Sequence, residues 1–386
     1  MLILGIESSC DETGAALVRD GRYLLSNVVA SQIDIHNRYG GVVPEVASRQ
    51  QIASIIPVIE AAMQQASCRW EEVDAIAATY GPGLAGSLLV GLTVGKTLAL
   101  AQKLPFIGVN HLEAHLYANW LRAGDGQLVG TDWRVQEGDP LFPLLALVIS
   151  GAHSELVLVH EHGSYELLGQ TRDDAAGEAF DKVSRILGLG YPGGPAIQKM
   201  AQQAEDAYVQ QQKSVNQARK AYRLPRAWIR GTYDFSFSGV KTAMLNLAEG
   251  ASRSMPAEQR AATQVTQYTR MGEQAAQHGE LDVALLASSF QEAIVDVLAV
   301  KTRLAAEEFR VKQVILAGGV AANLSLRQRM AQELKPLGVR LSYPPIDFCT
   351  DNAAMIGSAA FFHLALGERH GFDLDVQPGL SLPFKK

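Results

Sequence analysis

Cysteine is scarce in this chain: three residues, Cys10, Cys68 and Cys349, stand among 386, and no two of them form a CxxC pair. An odd number without paired spacing excludes a disulfide framework and points to a reducing compartment. Long hydrophobic runs also read as missing, since no stretch offers the roughly 18–20 apolar residues that cross a bilayer. The start, MLILGIESSC, has neither the basic region nor the apolar length of a signal peptide. The expectation is a cytoplasmic protein with no membrane partner. Positive charge is in deficit too, with a formal net charge of −6, so the molecule as a whole does not attract nucleic acid. No GxxxxGK[ST] occurs, which excludes a Walker A phosphate loop.

What is present is an apolar chain rich in glycine. Hydrophobic residues make up 47% of it and charged ones 19%, enough for two cores, because a single core rarely grows past roughly 250–300 residues. The 35 glycines exceed the average share of about 7% and cluster in short loops between apolar runs. LILGIESSCDETGAALV reads as strand, polar turn, strand. VDAIAATYGPGLAGSLLVGLTVGKTLALA reads as strand, glycine turn and long amphipathic helix, and PFIGVNHLEAHLYANWL as strand then helix. From residue 143 the order recurs: PLLALVISGAHSELVLVHEHGSYELLG gives three strands, VKQVILAGGVAANLSLRQRMAQEL gives strand, glycine turn and helix, and a closing helix follows. This is an α/β pattern, with either two similar lobes around a cleft or a chance recurrence of common units. Residues 120–141 and 200–285 are polar and rich in Gln, Ala and charge, and read as surface insertions of exposed helices.

The sharpest chemical signal is His111-Leu112-Glu113-Ala114-His115. On a helix, residues four apart share a face, so both imidazoles can reach one metal ion, whereas Glu113 points to roughly the opposite side. The alternative is two unrelated histidines. Asp351, in FCTDNAAMIG before an apolar helix, is the candidate third ligand, or simply the helix N-cap. Four glycine turns can cradle phosphate through backbone amides: Ser150-Gly151-Ala152-His153-Ser154, Gly318-Gly319 through Asn323, Tyr191-Pro192-Gly193-Gly194-Pro195 after Asp181, and Gly81-Pro82-Gly83. Each is equally readable as plain turn chemistry. The acidic turn from Glu7 through Asp11 and Glu12 to Gly14 orients a metal water, a phosphate or a nucleophile, or is an ordinary hairpin turn. Residues 182–270 hold thirteen Lys and Arg against five Asp and Glu, with Tyr222, Trp228, Tyr233, Phe235 and Phe237 interleaved. That stretch suits an RNA backbone, or a solvated insertion.

Taken in order, GIESSCDETGAAL, YGGVVPEVASRQ, GPGLAGSLLVGLTVGKTLA, NHLEAH, DDAAGEAFDKVSRILGLGYPGGP, DFSFSGVKTA, AGGVAAN and FCTDNAAMIG resemble the TsaD family. These are tRNA adenosine-37 threonylcarbamoyltransferases, once described as O-sialoglycoprotein endopeptidases. The resemblance runs from the N-terminus to about residue 360. It implies an α/β fold of the two-lobe actin-like ATPase (ASKHA) type, with duplicated mixed β-sheet domains and a cleft between them. The implied organisation is a first lobe over 1–132 and a second over 133–350, with insertions at about 200–285. Residues 351–386 then form a closing helix and a tail returning to the first lobe.

The resemblance also implies one divalent metal, iron(II) with zinc as the alternative, on His111, His115 and Asp351. Threonylcarbamoyl-AMP would meet Val148, Ile149, Ser150, Gly151 and Ala152, with Asp181, Gly194 and Asn323 around its nucleoside. Implied partners are tRNA, a threonylcarbamoyl-AMP synthase upstream, a smaller paralogous protein of the same fold and a P-loop ATPase. The helix in YGGVVPEVASRQQIASIIPVIEAAM is a candidate partner surface, or an ordinary helix packed on a sheet. Asp11 or Glu12 is the expected proton acceptor in acyl transfer. Two motifs depart from the family: Ala114 replaces Gly in HxEGH, while Ala152 and Ser154 replace Gly and Thr in SGGHT. A methyl at Ala152 conflicts with a positive φ, so the loop is expected either to hold its amides by another conformation or to crowd the ligand. A metalloprotease acting on glycoproteins and a non-catalytic ATP-binding module of the same fold are the rival readings.

Overall fold

A computed structural model describes residues 1–123, 140–253 and 282–384. Strand β1 (Leu2–Glu7) is buried along its whole length, as a central strand covered on both faces must be. It pairs antiparallel with β2 (Glu12–Arg19), which pairs antiparallel with β3 (Tyr23–Ser31). On its other side β1 runs parallel to β4 (Ala75–Gly81), and β4 parallel to β5 (Phe106–Asn110). Parallel neighbours need a crossover. Helix α2 (Pro44–Gln65), after the short α1 (Ile33–Asn37), and α3 (Ala85–Gln102) provide the crossovers. The short α4 (His111–Tyr117) follows β5, and β6 (Arg122–Ala123) extends the β3 edge.

The second sheet repeats the first. Its strands are β7 (Leu144–Ile149), β8 (Ser154–Glu161), β9 (Ser164–Gln170), β10 (Gln313–Ala317) and β11 (Arg340–Ser342). The order β11-β10-β7-β8-β9 matches β5-β4-β1-β2-β3 strand for strand, with the same parallel and antiparallel pairings. The recurrence in the sequence is therefore a duplication, and the fold is two-lobed and actin-like. The helices of the second half are α5 (Ala176–Ile186), α6 (Gly193–Gln210), α7 (Val215–Ala218), α8 (Ser238–Arg253), α9 (Val283–Glu308), α10 (Leu324–Leu334) and α11 (Ala353–Ala365).

Strand alternation divides the core. Leu145, Leu147 and Ile149 of β7 face an outer core with Phe180, Phe290 and Leu298. Leu144, Ala146 and Val148 face a central core shared with Ile3, Ile107, Leu112, Leu116, Met355 and Ala359. A period of two is what a pleated strand imposes. Helix α4 thus lies between the two sheets, in contact with both, and α11 packs on the first sheet and on α4. After α11 the chain returns along the first sheet, where Gln377 N donates to Tyr80 O at 2.7 Å and Lys96 Nζ to Leu374 O at 2.8 Å.

Three expectations need correction. Residues 200–285 are not wholly a surface insertion, since Leu224, Phe235, Phe237, Val240 and Met244 belong to the outer core. Residues 254–281 of that span, and 124–139 of the other, lie outside the described residues. Helix α3 is not amphipathic: it is apolar all round, with Leu89 and Leu100 exposed. Finally, α3 and α9 are each long and apolar enough to cross a bilayer. In α9 those apolar residues are used inside the protein, against α6, α10 and the second sheet.

Candidate active site

Asn110 ends β5, and its side-chain oxygen accepts the amides of Leu112 (2.9 Å) and Glu113 (3.2 Å), which caps α4 and starts the helix at His111. The two histidines then share a face, with ring centroids 4.7 Å apart and planes crossed at 80°. Asp351 arrives from the loop before α11. It is not the cap of that helix, because Asn352 accepts from Met355 N at 3.1 Å. Freed from capping, Asp351 Oδ1 lies 3.5 Å from His111 Nε2 and 3.2 Å from His115 Nε2. One ligand atom from each of the three lies within 4.8 Å of the others.

These residues fit a metal ion. Both ring nitrogens of His115 are buried without an aligned hydrogen-bond partner, a costly state for an imidazole that an ion beside Nε2 would relieve. Two imidazoles and one carboxylate are donors suited to zinc or iron(II).

Glu7, at the end of β1, supports the pair from behind. Its Oε2 lies 3.2 Å from His111 Nδ1 and accepts from Thr79 Oγ1 at 2.6 Å, while Oε1 accepts from Ser9 N at 2.5 Å. Ser9 Oγ also lies 3.1 Å from His111 Nδ1. A carboxylate on Nδ1 orients the ring and leaves Nε2 for a metal. Burial opposes charge on His111, but Asp351 and Glu7 outweigh it and push the ring up to about 9. Burial also opposes charge on Asp351, which the imidazoles of His111 and His115 nevertheless hold down at about 2. Metal and proton thus compete for His111.

Glu113 is turned away from this face. Tyr165 donates its hydroxyl to Oε1 at 2.6 Å, and His363 Nε2 lies 2.8 Å from Oε2. Ala114 is fully buried in the central core.

The acidic turn sits beside the cleft. Glu12 Oε1 accepts from Ser31 Oγ at 2.9 Å, and Oε2 is buried without a partner. Burial first, then the charge of Asp11, raises this carboxyl to about 7. The Tyr191 hydroxyl is raised by burial and then by the charges of Asp11 and Asp181.

Across from it, the loop after β7 is built on Ser150. The Ser150 hydroxyl accepts the amides of Ala152 (3.4 Å) and His153 (3.1 Å), and Ser150 N donates to His153 O. The nest expected of these amides is thus partly closed on itself. Ala152 has no positive φ and is exposed, so of the two expected outcomes the loop takes the other conformation, in which the methyl meets no backbone strain. Val148 and Ile149 are fully buried in β7, which leaves only their backbone to meet a ligand. A β-carbon at Gly151 or Gly194 would meet nothing within 4 Å, so both positions face open space. Asp181 Oδ1 accepts from Gly193 N at 2.7 Å, and burial outweighs that bond to raise its carboxyl. Asn323 caps α10 through Leu326 N (2.9 Å) and donates Nδ2 to Gln291 Oε1 (2.8 Å), which leaves its side chain one free amide hydrogen.

Gly81-Pro82-Gly83 does not cradle an anion. Gly83 N donates to Pro378 O and Leu84 N to Ser9 O, so the turn is packed under the C-terminal tail. The basic stretch is also less basic than its count. Lys182 and Lys241 meet Asp174, Arg219 meets Glu292, and Arg226 meets both Glu292 and Asp296. Arg223 and Arg230 remain exposed.

Thr79, Tyr165 and His363 were not among the expected site residues, and Glu7 and Ser9 were expected only as members of the acidic turn. A carboxylate closing a buried apolar strand was the signal for Glu7. Nothing local marks Tyr165 or His363, which meet Glu113 from 52 and 250 residues away.

Residues 23–358 match the family TsaD, tRNA N6-adenosine threonylcarbamoyltransferase. The protein of that name from Thermomicrobium roseum is 53% identical over 384 residues, 99% of this chain and 97% of its own length. That from Bacillus subtilis (strain 168) is 45% identical over 384 residues, 99% of this chain and 96% of its own length. Among solved structures, component A of (R)-2-hydroxyglutaryl-CoA dehydratase from Acidaminococcus fermentans is 14% identical, with a TM-score of 0.45 over 95% of this chain and 99% of that one. YeaZ from Pseudomonas aeruginosa reaches a TM-score of 0.27 at 18% identity, over 43% of this chain and 65% of that one.

Proposed function

Because this chain belongs to the family of tRNA N6-adenosine threonylcarbamoyltransferases and is a transferase, we propose that it moves the threonylcarbamoyl group from threonylcarbamoyl-AMP to N6 of adenosine 37. The substrates are tRNAs that read codons beginning with A. The new bond joins N6 to the carbamoyl carbon, the bond from that carbon to the phosphate oxygen breaks, AMP leaves, and N6 gives up a proton. The observation that carries this reading is the meeting of His111, His115 and Asp351 in a chain so similar to such enzymes over its full length.

His111, His115 and Asp351 would hold the divalent metal, iron(II) in first place and zinc as the alternative. When bound, it supplies Lewis-acid polarisation of a donor oxygen. Glu7 keeps His111 in the orientation that presents Nε2. Glu12, its free oxygen buried and its carboxyl raised to about 7, accepts the N6 proton, with Asp11 beside it keeping the carboxyl basic. A base poised near the working pH is the efficient one. The backbone of Val148, Ile149, Ser150, Gly151 and Ala152 lines the acyl end of the donor. Asp181, Gly194 and Asn323 line its nucleoside, where the open face of Gly194 lets the sugar approach. N6 is a weak nucleophile, so positioning supplies most of the rate.

The donor comes from a synthase that activates threonine and bicarbonate with ATP. A smaller paralogous protein and a P-loop ATPase complete the system. In support of a partner on α2, Ile52 (67% exposed) and Ile56 (47% exposed) stand one turn apart on its outer side, while Ile55 and Ile59 pack inward. The rival protease needs a carboxylate base beside the metal, and Glu113 is engaged by Tyr165 and His363 instead. A non-catalytic ATP-binding module has no use for two imidazoles and a carboxylate at one point.

The test is reconstitution: the chain with threonine, bicarbonate, ATP, the synthase, both partners and unmodified tRNA, read by mass spectrometry of the nucleosides. Threonylcarbamoyladenosine should appear only when the chain is present and should vanish with His115→Ala. Equal product without the chain would overturn the assignment.

A further inference from the structure

The three metal-binding residues stand on two helices that the chain itself does not hold together. His111 and His115 lie on α4, and Asp351 stands two residues ahead of α11. The helices pack side by side in the central core, through Ala114 and Leu116 of one and Met355, Ile356 and Ala359 of the other, with one long hydrogen bond midway, from Ser358 Oγ to Tyr117 O at 3.4 Å. Small apolar contacts of that kind are non-directional and leave slide and rotation weakly fixed. A polar contact between side chains sits at the other end of α11. His363 Nε2 meets Glu113 Oε2 at 2.8 Å, the Tyr165 hydroxyl donates to Oε1 at 2.6 Å, and His363 Nδ1 meets Glu368 Oε2 at 2.6 Å. Glu113 is only 1% exposed, so its carboxylate cannot turn to water.

Asp351 and His363 therefore grip α4 on opposite faces, from opposite ends of α11. At 1.5 Å per residue those grips are roughly 15–18 Å apart along the helix. Two contacts on opposite faces fix both the rotation and the slide of one helix on another, which one contact cannot. Buried ion pairs add little net stability compared with apolar residues of the same shape, but they are strict about geometry. We propose that the Glu113–His363 pair, steadied by Tyr165, is a positioning device that sets the register of α4 against α11 and so keeps Asp351 within reach of both imidazoles. Glu113 touches no metal-binding atom and acts only through the helix. The inference rests on the metal reading of His111, His115 and Asp351.

The experiment is a cobalt(II) titration of the full chain, followed by the visible absorption of the bound ion, with far-UV circular dichroism confirming the fold. Glu113→Gln and His363→Asn should each weaken cobalt binding about tenfold, the lower end of what outer partners of a metal site contribute, and should alter the visible band. The double variant should bind no worse than the weaker single one, because either change already breaks the shared contact. Folded single variants with the wild-type affinity and spectrum would overturn the proposal, as would losses that simply add in the double variant. Should Glu113→Gln fail to fold, His363→Asn, whose ring is already partly exposed, carries the test alone. His115→Ala is the control: if it binds cobalt as wild type does, the metal reading itself has failed.

Discussion

The hairpin between β1 and β2 and the hairpin between β7 and β8 occupy the same place in two sheets of the same order, yet their turns carry different chemistry. The first turn is acidic, with Glu7 behind His111 and Glu12 raised to about 7 beside Asp11. The second has no acid between Ile149 and Ser154. Its one titratable ring, His153, is pushed down to about 4 by burial and then by the charges of His111 and His115. In the proposed function the first turn takes a proton and orients a metal-binding ring, while the second, neutral and open at Gly151, meets the anionic donor. One scaffold, present twice, thus carries different chemistry at the corresponding turn of each lobe.

The largest effect that tests this division is expected at Glu12. Glu12→Gln should lower the transfer rate by about 10²–10⁴-fold, the usual contribution of a general base, with the fold intact. A raised carboxyl pKa means the group is protonated below that value, so the wild-type rate should climb as pH rises through about 7 and level off above it. Rates measured between pH 5.5 and 8.5 check this, and an unchanged profile in Glu12→Gln would remove Glu12 as the proton acceptor. Next comes Glu7→Gln, which should weaken metal binding about 10–100-fold and leave donor binding in place, as equilibrium titrations of each would show.

Smaller effects are expected in the second lobe. Gly318 has φ +86 and ψ 169, and a β-carbon there would meet Ile149 O at 2.5 Å. Gly318→Ala should therefore destabilise the protein by about 1–3 kcal/mol, read from denaturant midpoints. Smallest of all is Ala152→Gly, which restores the residue common in the family. Without a positive φ to relieve, it should bring no gain in transfer and a loss of about 0.4–1 kcal/mol in stability from added freedom of the unfolded chain. A gain in transfer would show that the methyl does crowd the ligand.

The succession of strands and helices was readable because apolar runs end in a glycine turn or a helix start, and the shared face of the two histidines because they are four apart. Asp351 was ambiguous because an acid before a helix resembles a cap, although Asn352 beside it is the better cap. Glu7 was recognised only as one carboxylate of a polar turn, since its role depends on Thr79, 72 residues away, and His111, 104 residues away. Counting charge between 182 and 270 misjudged the basic surface for a related reason. The acids that neutralise it, Asp174, Glu292 and Asp296, lie outside that window. Local pattern is legible in one dimension, and pairing across the fold is not.

The central claim is that a single ion is held between the helix of His111 and His115 and the loop of Asp351. Equilibrium metal titration of the purified, metal-stripped chain, beside Asp351→Ala and His115→Ala, addresses it most directly. One equivalent of iron(II) or zinc bound by the wild type, and none by either variant at the same concentration, is the result expected. Undiminished binding of one equivalent by both variants would place the ion elsewhere and contradict the account.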